Sequence, residues 1–323
     1  MPPGNWADYL AQSTTHALVA ALATEALLQI WRVRAPADRL ALRMSGLLQP
    51  LLVTPALWLC ERRQGEEFRD RWALFASRRW EELSVAGSSA FSVFLWVVGA
   101  LGAALLLVDL VPLLAGQRRG GPAASAAPEP LRALVEAAAA AMRIQSPPLR
   151  FVEARAPALF CQGTRRPGLV ISRGAYELFD REELRAALSH ELVHVRQRDP
   201  ALSWALMGVR ACLFFNPAVQ VVVRAVARDA EWRADECAGG DRLALASALL
   251  KLHRAGLAGP GEARRALPFA SVLTEPMRRA RSQDVLARCR RLIEPVAPEA
   301  APLRKLRIGL SSAAFAALFF LVT

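Results

Sequence analysis

Lysine is nearly missing from this sequence: the 41 basic residues include only Lys251 and Lys305, and arginine supplies the rest of a formal charge of +12. Cysteine is scarce and unpaired in pattern. Cys60, Cys161, Cys212, Cys237 and Cys289 are odd in number and form no C-x-x-C, which argues against a disulfide framework and against a thiolate zinc site. No helix-turn-helix, zinc knuckle or aromatic-basic strand pattern is present, so the basic balance is not read as nucleic-acid binding. Arginine excess in an apolar chain reads instead as cytoplasmic loops and contact with anionic lipid headgroups. The N-terminus, "MPPGNWADYL", lacks a basic n-region and its apolar run starts late. No cleaved signal peptide is expected, and the first segment is expected to stay in the mature protein.

What the chain has in quantity is apolar residues, 54% of the total, bunched into runs. Against the roughly 20 residues that a spanning helix needs, four stretches are candidates. They are "THALVAALATEALLQIWRV", "GLLQPLLVTPALWLC" with Pro50 and Pro55, "SSAFSVFLWVVGALGAALLLVDLVPLLAG" and the closing "LRIGLSSAAFAALFFLVT". The fold class this predicts is mainly α: a multi-span transmembrane helical protein with a small α+β soluble domain. Residues 1–116 form an N-terminal membrane region of about three helices, and 117–130, "GQRRGGPAASAAPEP" in essence, is a linker. Residues 131–303 form the soluble domain with an embedded apolar hairpin at 201–227, and 304–323 form a last transmembrane helix. Arginines at 32–43, Arg118, Arg119, Arg304, Lys305 and Arg307 share one side if the first helix runs inward, although the arginine-rich stretch 61–83 then lies outside. This predicts a multi-pass protein of the inner, cytoplasmic membrane with its soluble domain in the cytoplasm.

Within the soluble region "PLRALVEAAAAAMRI" reads as a helix, and "LRFVEA" and "GLVIS" as short strands. "DREELRAALSHELVHVRQRD" is a helix with a clear start, Asp180 as N-cap and Glu183 completing a capping box. Its apolar stripe is Leu184, Leu188, Leu192 and Val195. At about 100° per residue, His190 and His194 stack on the face away from that stripe. Two imidazoles one turn apart bind one metal side by side, and Glu191 beside the first is placed as general base. A chance H-E-x-x-H in a chain with so few histidines has odds on the order of a few in a thousand.

A catalytic zinc wants a third protein ligand. Gln197 and Pro200 stand where the metzincin pattern needs glycine and histidine, and His16 and His253 lie far off in sequence. An acid is the better candidate. "NPAVQVVVRAVARDAEWRADECAGG" supplies one on a helix opened by Asn216-Pro217 and stopped by Gly239-Gly240, where Glu231 and Asp235 share a face. A glutamate ligand with an aspartate that orients a histidine would make a two-His, one-Glu site; the plainer reading is a solvated, charged helix end.

"SHELVHVRQRD" followed by "FFNPAVQVVVRAVARDAEWRADECA" resembles the bacterial membrane zinc peptidases of the beta-lactam-sensor and methicillin-resistance regulator type. It is also similar to membrane quality-control peptidases and CAAX prenyl endopeptidases, whose H-E-x-x-H-x-x-x-x-D pattern is matched through Asp199. The similarity covers roughly residues 130–295. It implies one Zn²⁺ per chain, held by His190, His194 and Glu231, with Glu191 as base and Asp235 behind the ligands. "GLVIS" would be an edge strand that pairs with an extended substrate. The implied activity is cleavage of a protein at the cytoplasmic membrane surface, either a repressor or damaged membrane proteins, with membrane lipids as the other partner. Drug-sensing members carry a penicillin-binding domain after the last helix, whereas this sequence stops at Thr323, so beta-lactam sensing by itself is not expected. The apolar arms around Asn216-Pro217 must return to their starting side if His190 and Glu231 share a metal, since a spanning helix would separate them. Arg210 or Arg224 at a bilayer centre would cost roughly 2.5 to 3.5 kcal/mol each. Cys161 as a latent zinc-blocking thiolate, and His253, Tyr176 or Arg228 as oxyanion donors, are weaker readings than ordinary structural roles. The arginines of "EPMRRARSQDVLARCRRLIEP" read as a solvated amphipathic helix near lipid. A non-catalytic scaffold with structural zinc, and a basic lipid- or nucleic-acid-binding protein, are the rival classes.

Overall fold

A computed structural model describes residues 6–61, 84–85, 87–117, 124–258 and 277–294, with a few positions between 306 and 313. The helices are α1 (Trp6–Ile30), α2 (Pro36–Glu61), α3 (Ala90–Gln117), α4 (Glu129–Ala141), α5 (Arg173–Leu178), α6 (Arg181–Gln197), α7 (Asp199–Cys212), α8 (Pro217–Cys237), α9 (Arg242–Ala258) and α10 (Met277–Ile293). The strands are β1 (Ser84–Val85), β2 (Ser88–Ser89), β3 (Ala124–Ser125), β4 (Leu149–Val152), β5 (Leu159–Gln162) and β6 (Gly168–Ser172). The chain divides into two compact units. Unit 1 takes 1–106, 209–229 and 298–323, and unit 2 takes 107–208 and 230–297.

Among its described residues unit 1 is helical apart from the β1–β2 pair and short turns. Its interior holds charge as well as carbon. Buried Arg43 grips Glu25 with Nε at 2.7 Å and Nη2 at 2.9 Å, while its Nη1 bonds the fully buried Asp229, which also receives Arg39 Nε at 3.3 Å. Arg210, also buried, donates to Gln220 Oε1 at 2.7 Å and receives the amide of Gln220 on its own carbonyl. Asn216 caps α8 by accepting from the amides of Ala218 and Val219, and Pro217 follows at the first helical position, as the sequence predicts.

These internal polar pairs bear on the expected multi-span architecture, which the structure corrects. Among the described residues no helix is long and apolar enough to cross a membrane. Runs that hydropathy counts as apolar are broken by buried polar groups: Thr14, His16 and Thr24 in α1, and Asp38 and Arg43 in α2. α7 has 14 residues, and α8 carries Arg224, Arg228, Asp229 and Glu231. The side chains of the third run are described only in part, and the closing run at 304–323 lies mostly outside the described residues, as does the stretch 62–83.

Unit 2 is a small mixed sheet under helices. The strand order is β3-β4-β6-β5, with β4 and β6 parallel and the outer pairings antiparallel. The "GLVIS" strand, β6, is therefore internal and not an edge. Part of the expected linker contributes β3 to this sheet. Gly174, just after β6, bonds Ala154 through its amide, and a Cβ there would sit 1.8 Å from the Arg155 carbonyl oxygen. Only glycine permits that approach.

α6 packs Leu184, Leu188 and Leu192 with Phe151, Leu169 and Ile171 of the sheet and Leu131 and Val135 of α4. Burial of each leucine stabilises the fold by roughly 1.5–3 kcal/mol. The helix starts with the expected capping box. Asp180 accepts from the amides of Glu182 and Glu183, and Glu183 accepts from the Asp180 amide. Glu183 is buried and also bonds Ser247 Oγ at 2.6 Å and Lys251 Nζ at 2.5 Å on α9. Burial by itself would raise its pKa, but Lys251, Ser247 and the Asp180 amide outweigh it and hold the carboxyl below the ordinary range.

Because the folded pKa lies below the unfolded one, the stability that Glu183 contributes is whole above its ordinary pKa of about 4.3 and is lost as pH falls through the lowered folded value. Glu183→Gln is expected to cost about 1–3 kcal/mol at neutral pH. The gap to the wild type should narrow on acidification across that window, as read by denaturant melts at a series of pH values.

Candidate functional site

The face of α6 opposite the leucine stripe is largely buried too, with His190, Val193 and His194 inside the fold. α6 meets the end of α8 through Val193 against Ala234 and Ala238. This sets His190 and His194 opposite Glu231 and Asp235, all within unit 2. The ring nitrogens Nε2 of His190 and His194 lie 3.1 Å apart. Glu231 faces both, with Oε2 at 3.5 Å from His190 Nε2 and Oε1 at 3.7 Å from His194 Nε2. Three ligand atoms, one from each residue, lie within 4.8 Å of one another.

The Nδ1 atoms are held from behind. His194 Nδ1 is 2.7 Å from Asp199 Oδ2, and Arg233 Nη2 donates to Asp199 Oδ1 at 2.7 Å. On a continuous helix Asp199, five residues on, would point about 140° away from His194. α6 ends instead at Arg198, whose φ of 55° is left-handed, and the chain turns so that Asp199 opens α7 and folds back. His190 Nδ1 lies 3.1 Å from Asp235 Oδ1, in ion-pair range without hydrogen-bond geometry.

Arg288 of α10 completes the cluster. Its Nε and Nη2 bond Asp235 at 2.8 and 2.6 Å, its Nη1 lies 2.9 Å from Glu231 Oε2, and its Nη2 is 3.3 Å from His190 Nε2. The sequence reading missed this residue and left its helix solvated. The available signal was Arg288's place beside Val285, Cys289 and Leu292, the inward stripe of α10.

Burial alone would lower the pKa of His190, but Asp235 and Glu231 outweigh it and hold it at about 10. His194 is likewise raised against burial, chiefly by Asp199. Glu231 is pulled far below the carboxylate range by Arg288 and the two histidines, against desolvation. Glu191 moves the other way. Burial raises its pKa, more than the histidines and Arg288 lower it. Burial also pushes the Cys161 thiol up, with Glu191 and Asp199 adding to the effect, which disfavours a thiolate there and shows that β5 runs beside the H-E-x-x-H helix. Tyr176 stacks edge-on against Phe151 in the core, Arg228 belongs to unit 1 and His253 is half-buried on α9.

A divalent ion fits these residues. Ligand bonds of about 2.0–2.2 Å in a tetrahedral site separate ligand atoms by about 3.3 Å; the two imidazole nitrogens lie 3.1 Å apart, and each is within 3.7 Å of one oxygen or the other of the Glu231 carboxylate. With both imidazoles neutral, as metal ligands are, four carboxylates (Glu191, Asp199, Glu231, Asp235) face two guanidiniums (Arg233, Arg288), and a dication would offset the excess of negative charge in place of the two imidazole protons.

Two histidines on one helix, an acid on a second and a carboxylate beside the first histidine make a set that could hold a metal ion next to a base. A family model described as BlaR1 peptidase M56 matches residues 74–257. The chain belongs to the BlaR1 peptidase M56 family. It is also similar to proteins named protease HtpX homolog. That of Kineococcus radiotolerans is 30% identical over 42% of this chain and 59% of its own length. That of Pseudarthrobacter chlorophenolicus is 35% identical over 26% and 39%, and that of Aquifex aeolicus 36% identical over 21% and 24%. In each case the chain spans less than two thirds of the relative's length.

Because Asp199 fixes the ring of His194, Asp199→Asn should weaken metal binding about 10–100-fold while leaving the fold intact. Competition titration with a chromophoric chelator, beside circular dichroism, measures both.

Proposed function

We propose that the protein is a zinc-dependent endopeptidase that cleaves a protein substrate at a membrane surface, on the cytoplasmic side. The observation that carries this reading is the convergence of His190, His194 and Glu231 with Glu191 alongside. Two imidazoles and one carboxylate with an open fourth position are the donor set of catalytic zinc, and one ion per chain is expected. Such an ion supplies Lewis acidity to an attacking water and to the scissile carbonyl.

The chain's own residues do the rest. Glu191 takes the proton of the water and hands it to the leaving amine; burial raises its pKa above the ordinary carboxylate value, which makes it a better proton acceptor. Asp199 and Asp235 keep the two imidazoles aimed with Nε2 inward. A scaffold with structural zinc would have no use for a carboxylate desolvated at that position.

The substrate lies extended along β5. This strand is an edge of the sheet, has one side free of strand partners among the described residues, and passes beside Glu191. Main-chain pairing with an edge strand accepts many side chains, which suits either a repressor or a damaged membrane protein. Membrane lipids are the second partner. The exposed Trp96, Val97, Leu101 and Leu107 of α3 support contact with an apolar phase, as does membership of the family. Nucleic-acid binding is not part of this reading.

Glu191→Gln in the full chain should retain one zinc and lose reporter-protein cleavage by about 10²–10⁴-fold. Zinc content by atomic absorption together with cleavage by gel tests it. Undiminished cleavage in the variant, or a wild type that binds no metal, would remove the proposal.

A further inference from the structure

Arg288 enters the cluster from outside the matched stretch, which ends at residue 257. Its helix, α10, is seated on α9 by Cys289 and Leu292 against Ala244, Leu245 and Ala246. Against α8 it uses two arginines about one turn apart. Arg291 Nη2 donates to Glu236 Oε1 at 2.8 Å and its guanidinium lies 4.7 Å from the Trp232 ring centre. Arg288 meets Glu231 and Asp235 with all three of its nitrogens and is only 14% exposed.

We propose that Arg288 is a positioning residue of the metal centre: its planar fork ties the Glu231 and Asp235 carboxylates together, so that Glu231 stays aimed at the histidines and Asp235 stays behind His190. This rests on the zinc-peptidase reading. Glu231 and Asp235 are like charges at i, i+4 on one helix face, a spacing at which they repel. Unbridged, each would turn toward its own water. A guanidinium offers donors in a fixed plane, enough to hold Asp235 through two bonds and still reach Glu231. An ammonium matches the charge but not that geometry. The fork works against a second effect, because a cation near a dication disfavours the dication. The two roles therefore predict opposite signs when Arg288 is removed.

The test uses the full chain as wild type, Arg288→Ala, Arg288→Lys and Arg291→Ala. Zinc affinity is measured by chelator competition, and coordination geometry by the visible absorption of the Co²⁺-loaded protein. Positioning predicts that both Arg288 variants bind zinc about 10–100-fold more weakly with an altered Co²⁺ spectrum. Arg291→Ala, which loosens the same helix, should keep wild-type values of both. Zinc binding in Arg288→Ala as tight as or tighter than wild type overturns the proposal, and so does full recovery in Arg288→Lys, since charge alone would then suffice. If Arg288→Ala does not fold, Arg288→Lys carries the test. A wild type that binds no metal would take down the peptidase reading as well, whereas tight wild-type binding with unchanged Arg288 variants takes down only this one.

Discussion

Two imidazoles buried one turn apart on α6 set the terms for everything around them. Their Nε2 atoms are 3.1 Å apart, yet the rings cannot satisfy each other, since one N–H serves one acceptor and the Nδ1 positions still need partners. Each buried polar group left over would cost about 1–3 kcal/mol. Acids answer that need. Asp199 serves His194, Asp235 lies behind His190, and Glu231 faces both rings. Buried acids in turn require cations, which Arg233 and Arg288 provide. Read outward, the cluster alternates imidazole, carboxylate and guanidinium, and each layer is there because the one inside it left the water.

The inner layers were legible in the sequence because they depend on local chemistry. A capping box, a 3.6-residue stripe and a five-residue motif predict α6, its start and the direction of its histidines, and the fold has each of them. Asn216-Pro217 and Gly239-Gly240 bracket α8 as their backbone preferences demand; the two glycines hold φ of 65° and 80° just past the helix end. The match through Asp199 had a pattern but not a mechanism until the helix was seen to break at Arg198.

What sequence reasoning lost was long-range. Strand order is set by which strand reaches which partner, and nothing inside "GLVIS" says that β5 will cover its free side. Hydropathy counted the apolar runs but could not see that Arg43, Glu25 and Asp229, or Arg210 and Gln220, would neutralise and satisfy one another inside unit 1. An arginine paired in that way is compatible with a helix interior that hydropathy alone reads as uniformly apolar. Arg288 escaped for the same reason. Its meaning lies in Glu231 and Asp235, more than fifty residues earlier.

α8 shows why charge was used where apolar packing was available. Apolar burial is non-directional and fixes poorly how far a helix is rotated about its axis. Alanines at 234 and 238 pack with Val193 of α6 but define little phase. Directional pairs supply it. Asp229 is fixed by Arg39 and Arg43, and Glu231, about 200° around the helix from it, is fixed by Arg288. Within unit 2 a rotation of the helix about its axis would lengthen the bonds from Arg288 to both Glu231 and Asp235. The cost of dehydrating these ions offsets much of their Coulombic gain, so their contribution to net stability is small. Their contribution to geometry is larger, because a carboxylate that must reach two imidazoles tolerates displacements well below the width of an atom.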